Sequence, residues 1–256
     1  MKSEGSIQIN EAGNLLLEIG SLLMSSGANT SRVRITVHRI SEAFGYKTDM
    51  LITNRAITLS ISDKKGQYFF NSLKRTSPHG INFRVVSGIS RMSWRVIDEK
   101  WTPGQVRDEF DRLTSLPQYP RLLVLSLVGV AGASFCRLFG GGALEMGVTF
   151  TATFIGLFVR QEAMKKQFNP YLSVFFAAFA ASSIAGLFRK LGIGYTMEHA
   201  FTASVLFLIP GVPLINSFSD LIDDNILNGM VRGINGLLIA FAIALGLMGA
   251  MIIYSF

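Results

Sequence analysis

The chain has 256 residues, 49% hydrophobic and 16% charged, with a formal net charge of +7. Residues 1–120 hold 16 of its Lys and Arg and 11 of its Asp and Glu, whereas residues 121–256 hold only 8 and 6. An average soluble chain is about 25% charged, so this split excludes a single soluble domain, and the apolar content excludes a disordered chain.

In chain order, residues 11–44 predict two helices, with Leu16, Ile19 and Leu23 and then Val33, Val37, Ile40 and Phe44 at threes and fours. Ser25-Ser26-Gly27-Ala28-Asn29-Thr30 interrupts them. It reads as a joint in which glycine supplies a positive φ, and Ser26 and Gly27 are also candidates for a gate against the membrane domain. Residues 56–62 alternate, the turn-forming Asp63-Lys64-Lys65-Gly66 follows, and Gln67–Phe70 returns as the second strand of a hairpin. A helix over 82–98 lines up Val85, Ile89, Met92 and Val96. Thr102-Pro103-Gly104-Gln105 starts another, with Val106, Phe110 and Leu113 on its apolar face. Residues 1–117 are therefore expected to form a soluble α+β domain with its own core.

Residues 118–256 are expected to be a transmembrane domain of five helices, about 121–141, 143–160, 170–189, 198–217 and 230–254, since about 20 apolar residues span a bilayer. The fold expected is a polytopic α-helical membrane protein with an N-terminal soluble α+β domain. A re-entrant segment around 137–160, leaving four spans, is the alternative. The polar start MKSEGSIQINEAGN is unlike a signal peptide, so the N-terminal domain is expected in the cytoplasm. Arg160, Lys165 and Lys166 then also lie inside, Arg189 and Lys190 lie outside against the rule, and the C-terminus lies outside.

Charged and polar groups are costly at membrane depth, which singles out three features. Arg137 and Glu145 flank the turn Gly140-Gly141-Gly142 and either pair, line a cavity or mark the interface. Ile209-Pro210-Gly211-Val212-Pro213 should unwind the fourth span, exposing backbone groups of the kind that line transporter sites; the alternative is a packing kink. Pro210, Gly211, Pro213, Asn216 and Asn235 are accordingly candidates for a substrate path. Among Asp220, Asp223 and Asp224, most are expected in a solvated loop, with Asp220 nearest membrane depth.

Several classes are excluded. Cys136 is the single cysteine and His38, His79 and His199 are scattered, so neither a disulfide nor a cysteine or histidine metal motif is available. The basic residues are interleaved with acids and carry no nucleic-acid motif. No phosphate loop or nucleophile elbow occurs. An enzyme is not expected, and neither is a cofactor.

Segments 15–46, 81–90, 101–113 and FCRLFGGGALEMG (135–147), and above all LIPGVPLINSFSDLIDDNILNGMVRG (208–233), resemble the threonine/serine exporter (ThrE) family, and within it the longer subunit of the split, YjjP-type form. The family's acidic residue after the glycines stands slightly later here, at Glu145. The resemblance implies secondary export of small metabolites (threonine and serine, or a dicarboxylate such as succinate) across the cell inner membrane, driven by protons. Glu145 and Asp220 are then candidates for the coupling proton. It also implies a second, smaller five-helix membrane subunit of inverted topology and an oligomeric assembly. The competing expectation is a membrane-anchored regulatory or structural subunit whose soluble domain is the working part; a channel without coupling is a third.

Overall fold

The computed structural model describes residues 2–76, 80–117, 119–193 and 197–254. His79 and Gln118, the first residue of the expected membrane domain, lie outside them. In chain order the elements are α1 (Lys2–Ser25), α2 (Thr30–Ala43), β1 (Tyr46–Thr53), β2 (Ala56–Asp63), β3 (Phe69–Arg75), α3 (Phe83–Asp98), α4 (Pro103–Thr114), α5 (Arg121–Leu138), α6 (Ala143–Lys165), α7 (Pro170–Lys190), α8 (Glu198–Ala203), a 3-10 turn (Leu206–Leu208), α9 (Gly211–Ile222) and α10 (Ile226–Tyr254). They fall into two compact units, one of Met1–Pro117 with Val212–Gly233, the other of Gln118–Gly211 with Ile234–Phe256.

In the first unit, β1, β2 and β3 form an antiparallel sheet in that order. Period-2 alternation sends Ile57, Leu59 and Ile61 to one face, where Ile52 (opposite Ile57) and Phe70 (opposite Ile61) join them, all buried. That face closes one core with Leu16, Ile19 and Leu23 of α1, Val33, Val37 and Ile40 of α2, and Val85, Ile89 and Met92 of α3. Asp63 fixes the β2–β3 turn by accepting from the Gln67 and Tyr68 backbone N–H groups at 2.6 and 3.0 Å. Those donors, Tyr68 first, hold its carboxyl below the usual carboxylate range. Thr102 caps α4 with the reciprocal Gln105 bond and Pro103 at the helix start, as the sequence predicts.

In the second unit, α6 packs against both α5 and α7, and small residues allow the approach. Gly132 meets Thr153, and Gly156 meets Ala177 and Ala181. Arg121 at the head of α5 donates to Gln161 at 2.6 Å and pairs with Glu162 at 2.5 Å near the end of α6. Four helices, α5, α6, α7 and α10, are long and apolar enough to cross a membrane, and α8 with α9 makes a fifth if the pair is one broken span. Residues 137–160 contain two separate helices joined at 139–142, each long enough to span.

The expected fourth span, 198–217, is not one helix. α8 ends at Ala203, Pro210 stands immediately before α9, and Pro213 lies within its first turn, where a missing N–H costs nothing. The prolines thus begin a new helix rather than kink an old one. The hairpin is longer than expected, with β1 added at one edge and β3 continuing to Arg75.

Candidate functional site

The joint between α1 and α2 is fixed by its backbone. Gly27 has φ +93°, a region costly for residues with a Cβ, and a Cβ there would also lie 3.2 Å from the Gly80 carbonyl. The Gly80 N–H donates to Ser25 O at 2.7 Å and the Asn82 N–H to Ser26 O at 3.0 Å. Asn29 caps α2 by accepting from the Arg32 N–H. The carbonyls of Gly27 and Ala28 find their donors on α9 and the head of α10.

Asn216 Nδ2 donates to Gly27 O at 2.8 Å, and Arg232 Nη2 donates to Ala28 O at 3.1 Å. Asp220, wholly buried, accepts from the Thr30 N–H at 2.9 Å and from Thr30 Oγ1 at 3.1 Å. Arg232 Nη1 lies 3.1 Å from Asp220 Oδ2, the oxygen that also accepts from Thr30 Oγ1, an ion pair with little solvent access. Asn228 Nδ2 bonds both Thr30 Oγ1 and Ile52 O. Four side chains of the α9–α10 hairpin are thereby spent on three joint residues, Gly27, Ala28 and Thr30, and one strand carbonyl. Asp220 is not in a solvated loop as most of its group was expected to be, whereas Asp223 and Asp224 are exposed. The sequence reading missed Thr30, Asn228 and Arg232 as members of this cluster. Arg232, the last charge before the uncharged run to Phe256, was the available signal.

Beside the cluster is a cleft of about 250 Å³ lined by Gly27, Asn29, Arg32, Val212, Asn216 and Ser219, among others. Asn29, Arg32, Asn216 and Ser219 give it a polar part, Phe83, Val86, Val212 and Ile215 an apolar one, and it is wide enough for a metabolite of a few carbon atoms. Of the separately predicted residues, Ser26 has its carbonyl engaged by the Asn82 N–H, while Gly27 and Asn216 meet here. Pro213 lies in the same helix, while Pro210, Gly211 and Asn235 belong to the second unit.

In that second unit Gly140, with φ +98°, ends α5 in the left-handed region, and Glu145 Oε2 accepts from the Gly142 N–H at 3.0 Å to start α6. Gly141 packs on Cys136, whose Sγ would sit 2.5 Å from a Cβ. Arg137 does not pair with Glu145; it is exposed and donates to Gly141 O at 3.3 Å. The other oxygen of Glu145 lies 3.3 Å from His199 Nδ1. Asn235 accepts from the Tyr171 hydroxyl at 2.8 Å. The histidine of α8 was not singled out in the sequence, because no local spacing links it to Glu145.

Comparison with known proteins identifies the family. The ThrE family model, described as "Putative threonine/serine exporter", matches residues 14–254. The chain is 31% identical over 246 residues to "Probable succinate transporter subunit YjjP" of Escherichia coli (strain K12), covering 94% of this chain and 93% of that protein. It is 30% identical over 243 residues to the Klebsiella aerogenes protein of the same name, covering 93% and 92%. It is 25% identical over 226 residues to "Threonine/serine exporter" of Corynebacterium glutamicum, covering 83% of this chain and 45% of that protein. No solved structure matches the chain. With a family match running through both units, this chain belongs to the threonine/serine exporter family.

Proposed function

We propose that the chain is the longer subunit of a two-component secondary exporter of small amino or carboxylic acids, coupled to protons and set in the inner membrane. The observation that carries this reading is the convergence of the α1–α2 joint with the helix that restarts at Pro210–Pro213, around a small cleft of mixed polar and apolar lining. Family membership makes it a transporter component rather than an enzyme. The names of the Escherichia coli and Klebsiella aerogenes relatives, each a transporter subunit, support a working partner. We assign that partner as a five-helix membrane protein of inverted topology, since two inverted halves enclose a midplane site in many transporters. Residues 1–117 lie in the cytoplasm and the C-terminus outside.

Within this reading Asn216 and the Gly27 carbonyl border the substrate path, with Pro213, Pro210 and Gly211 positioning α9. Asp220 is held by Thr30 and Arg232 and serves to fasten the joint. Glu145, with His199 beside it, is the carrier of the coupling proton, because one oxygen is engaged by backbone and the other lies 3.3 Å from the His199 imidazole nitrogen Nδ1, to which a proton can pass.

The test is export from cells producing both subunits, with membrane levels of each variant matched. Asn216→Ala, which removes one hydrogen bond to the joint, is expected to lower export about tenfold, equivalent to about 1.4 kcal/mol. Glu145→Gln and His199→Gln are expected to abolish stimulation by an imposed pH gradient while exchange of labelled for unlabelled substrate continues. Full gradient stimulation in both would reject the pair. Normal export in Asn216→Ala, together with loss of export on removing residues 1–117, would favour a regulatory role for the soluble part instead.

A further inference from the structure

A second cleft, of about 280 Å³, lies along α2 and α3 and is lined by Asn29, Ser31, Arg32, Ile35, Thr36, Arg39, Ser90 and Trp94. Its chemistry is one-sided. Two guanidinium groups, three hydroxyls and an amide line it, and no carboxylate does. Arg39 is immobilised: its guanidinium stacks 3.7 Å above the Trp94 ring and donates to Ser93 Oγ at 2.8 Å. The Arg32 side chain has no ion pair or hydrogen bond among the described residues. The two arginines stand seven residues apart on one helix, two turns or about 10.5 Å along the axis, so each can present its fork to a separate acceptor. Neighbouring acids are engaged elsewhere, Glu42 with His38 at 3.4 Å.

We infer that this cleft is a binding site for a small organic dicarboxylate, one carboxylate on Arg32 and one on the outward N–H groups of Arg39. Planar bidentate pairing favours carboxylate at such forks. A zwitterionic amino acid is disfavoured, because its ammonium would meet two cations and no anion. The choice of a metabolite over a simple inorganic anion rests on the exporter reading above; the charge pattern does not. Arg32 also lines the cleft at Gly27 and Asn216, so a ligand here sits one side chain from the proposed path.

The site carries its own reporter, since Trp94 and Trp101 are the only tryptophans. The purified full chain with Trp101→Phe is titrated with sodium succinate, threonine and sodium sulfate at constant ionic strength, reading Trp94 fluorescence. A saturable change with succinate is expected, at least tenfold weaker with threonine and with sulfate. The exposed substitution Arg32→Gln should weaken the succinate response at least tenfold without altering the unfolding temperature. Absence of saturation, an equal response to sulfate, or an unchanged response in Arg32→Gln would overturn the assignment. Export by the parent protein is measured in parallel. Export without binding removes this site alone, whereas binding without export removes the exporter reading and leaves the site.

Discussion

At the scale of single residues, the Asp220–Arg232 pair decides whether the α1–α2 joint is held. Both side chains are out of water, Asp220 completely and Arg232 8% exposed, and a buried charge without its counterpart is expensive. Asp220→Asn retains an acceptor for the Thr30 N–H but leaves Arg232 uncompensated, and Arg232→Met leaves Asp220 so. Each single change is expected to lower stability by about 3–5 kcal/mol. The double change removes both charges and should recover most of that loss, because the desolvation cost goes with them. Denaturant unfolding of the purified protein measures all four combinations, and additive losses would show that the two charges do not act as a pair. Arg32 has no such cost, being exposed and unpaired among the described residues, which is why its replacement is expected to report on binding rather than on folding.

At the scale of elements, close backbone approach holds α10 against α7. A Cβ on Gly246 would lie 2.7 Å from Phe175 O and 2.9 Å from Phe179 N, and those backbone atoms cannot swing aside. Gly249, on the same helix, would meet only the Phe179 ring at 3.4 Å. Gly246→Ala is therefore expected to cost about 1–3 kcal/mol, the range for overpacking a tight interface, and Gly249→Ala to cost much less. Unfolding temperatures of the two variants side by side check this, and equal effects would contradict it. The same elements show what the sequence made visible. The α4 cap, the glycine at the joint and the break at Pro210 were legible because each is written in adjacent residues. Strand β1 was not, because on this edge strand Tyr46, Thr48 and Met50 are only half-buried and Lys47 and Asp49 are interspersed, so the alternation is faint. The extension of α6 to Lys165 was hidden because Arg160, Gln161 and Glu162 read as a span's end, yet Arg121 of α5 engages two of them. The partnerships Thr30–Asp220 and Glu145–His199 join residues far apart in the chain, and no local pattern encodes them.

At the scale of the molecule, the composition of the first unit constrains the path of the chain through the membrane. Met1–Pro117 and Val212–Gly233 share one compact unit, and the proposed topology places residues 1–117 and the α9–α10 turn on the same side of the bilayer. Three long apolar helices, α5, α6 and α7, separate them, and three crossings would leave residue 191 on the opposite side. On the proposed topology the stretch from α8 into α9 is the crossing that brings the chain back, despite its break. On that topology α10 is the fifth crossing, and the C-terminus is expected opposite the N-terminal domain. Arg189 and Lys190 then lie outside, against the usual distribution of basic residues, while Arg160, Lys165 and Lys166 and the basic N-terminal unit lie inside. Alkaline phosphatase, active only outside the cytoplasm, is expected to be active when fused after Leu191 or after Phe256 and inactive when fused after Pro117 or within Asp223–Asp224. A stable but inactive fusion after Phe256 would mean that α8 and α9 enter and leave on one side. An even number of crossings would then force the first unit's two segments apart, and with them the contact between Asp220 and Thr30 on which the proposed path depends.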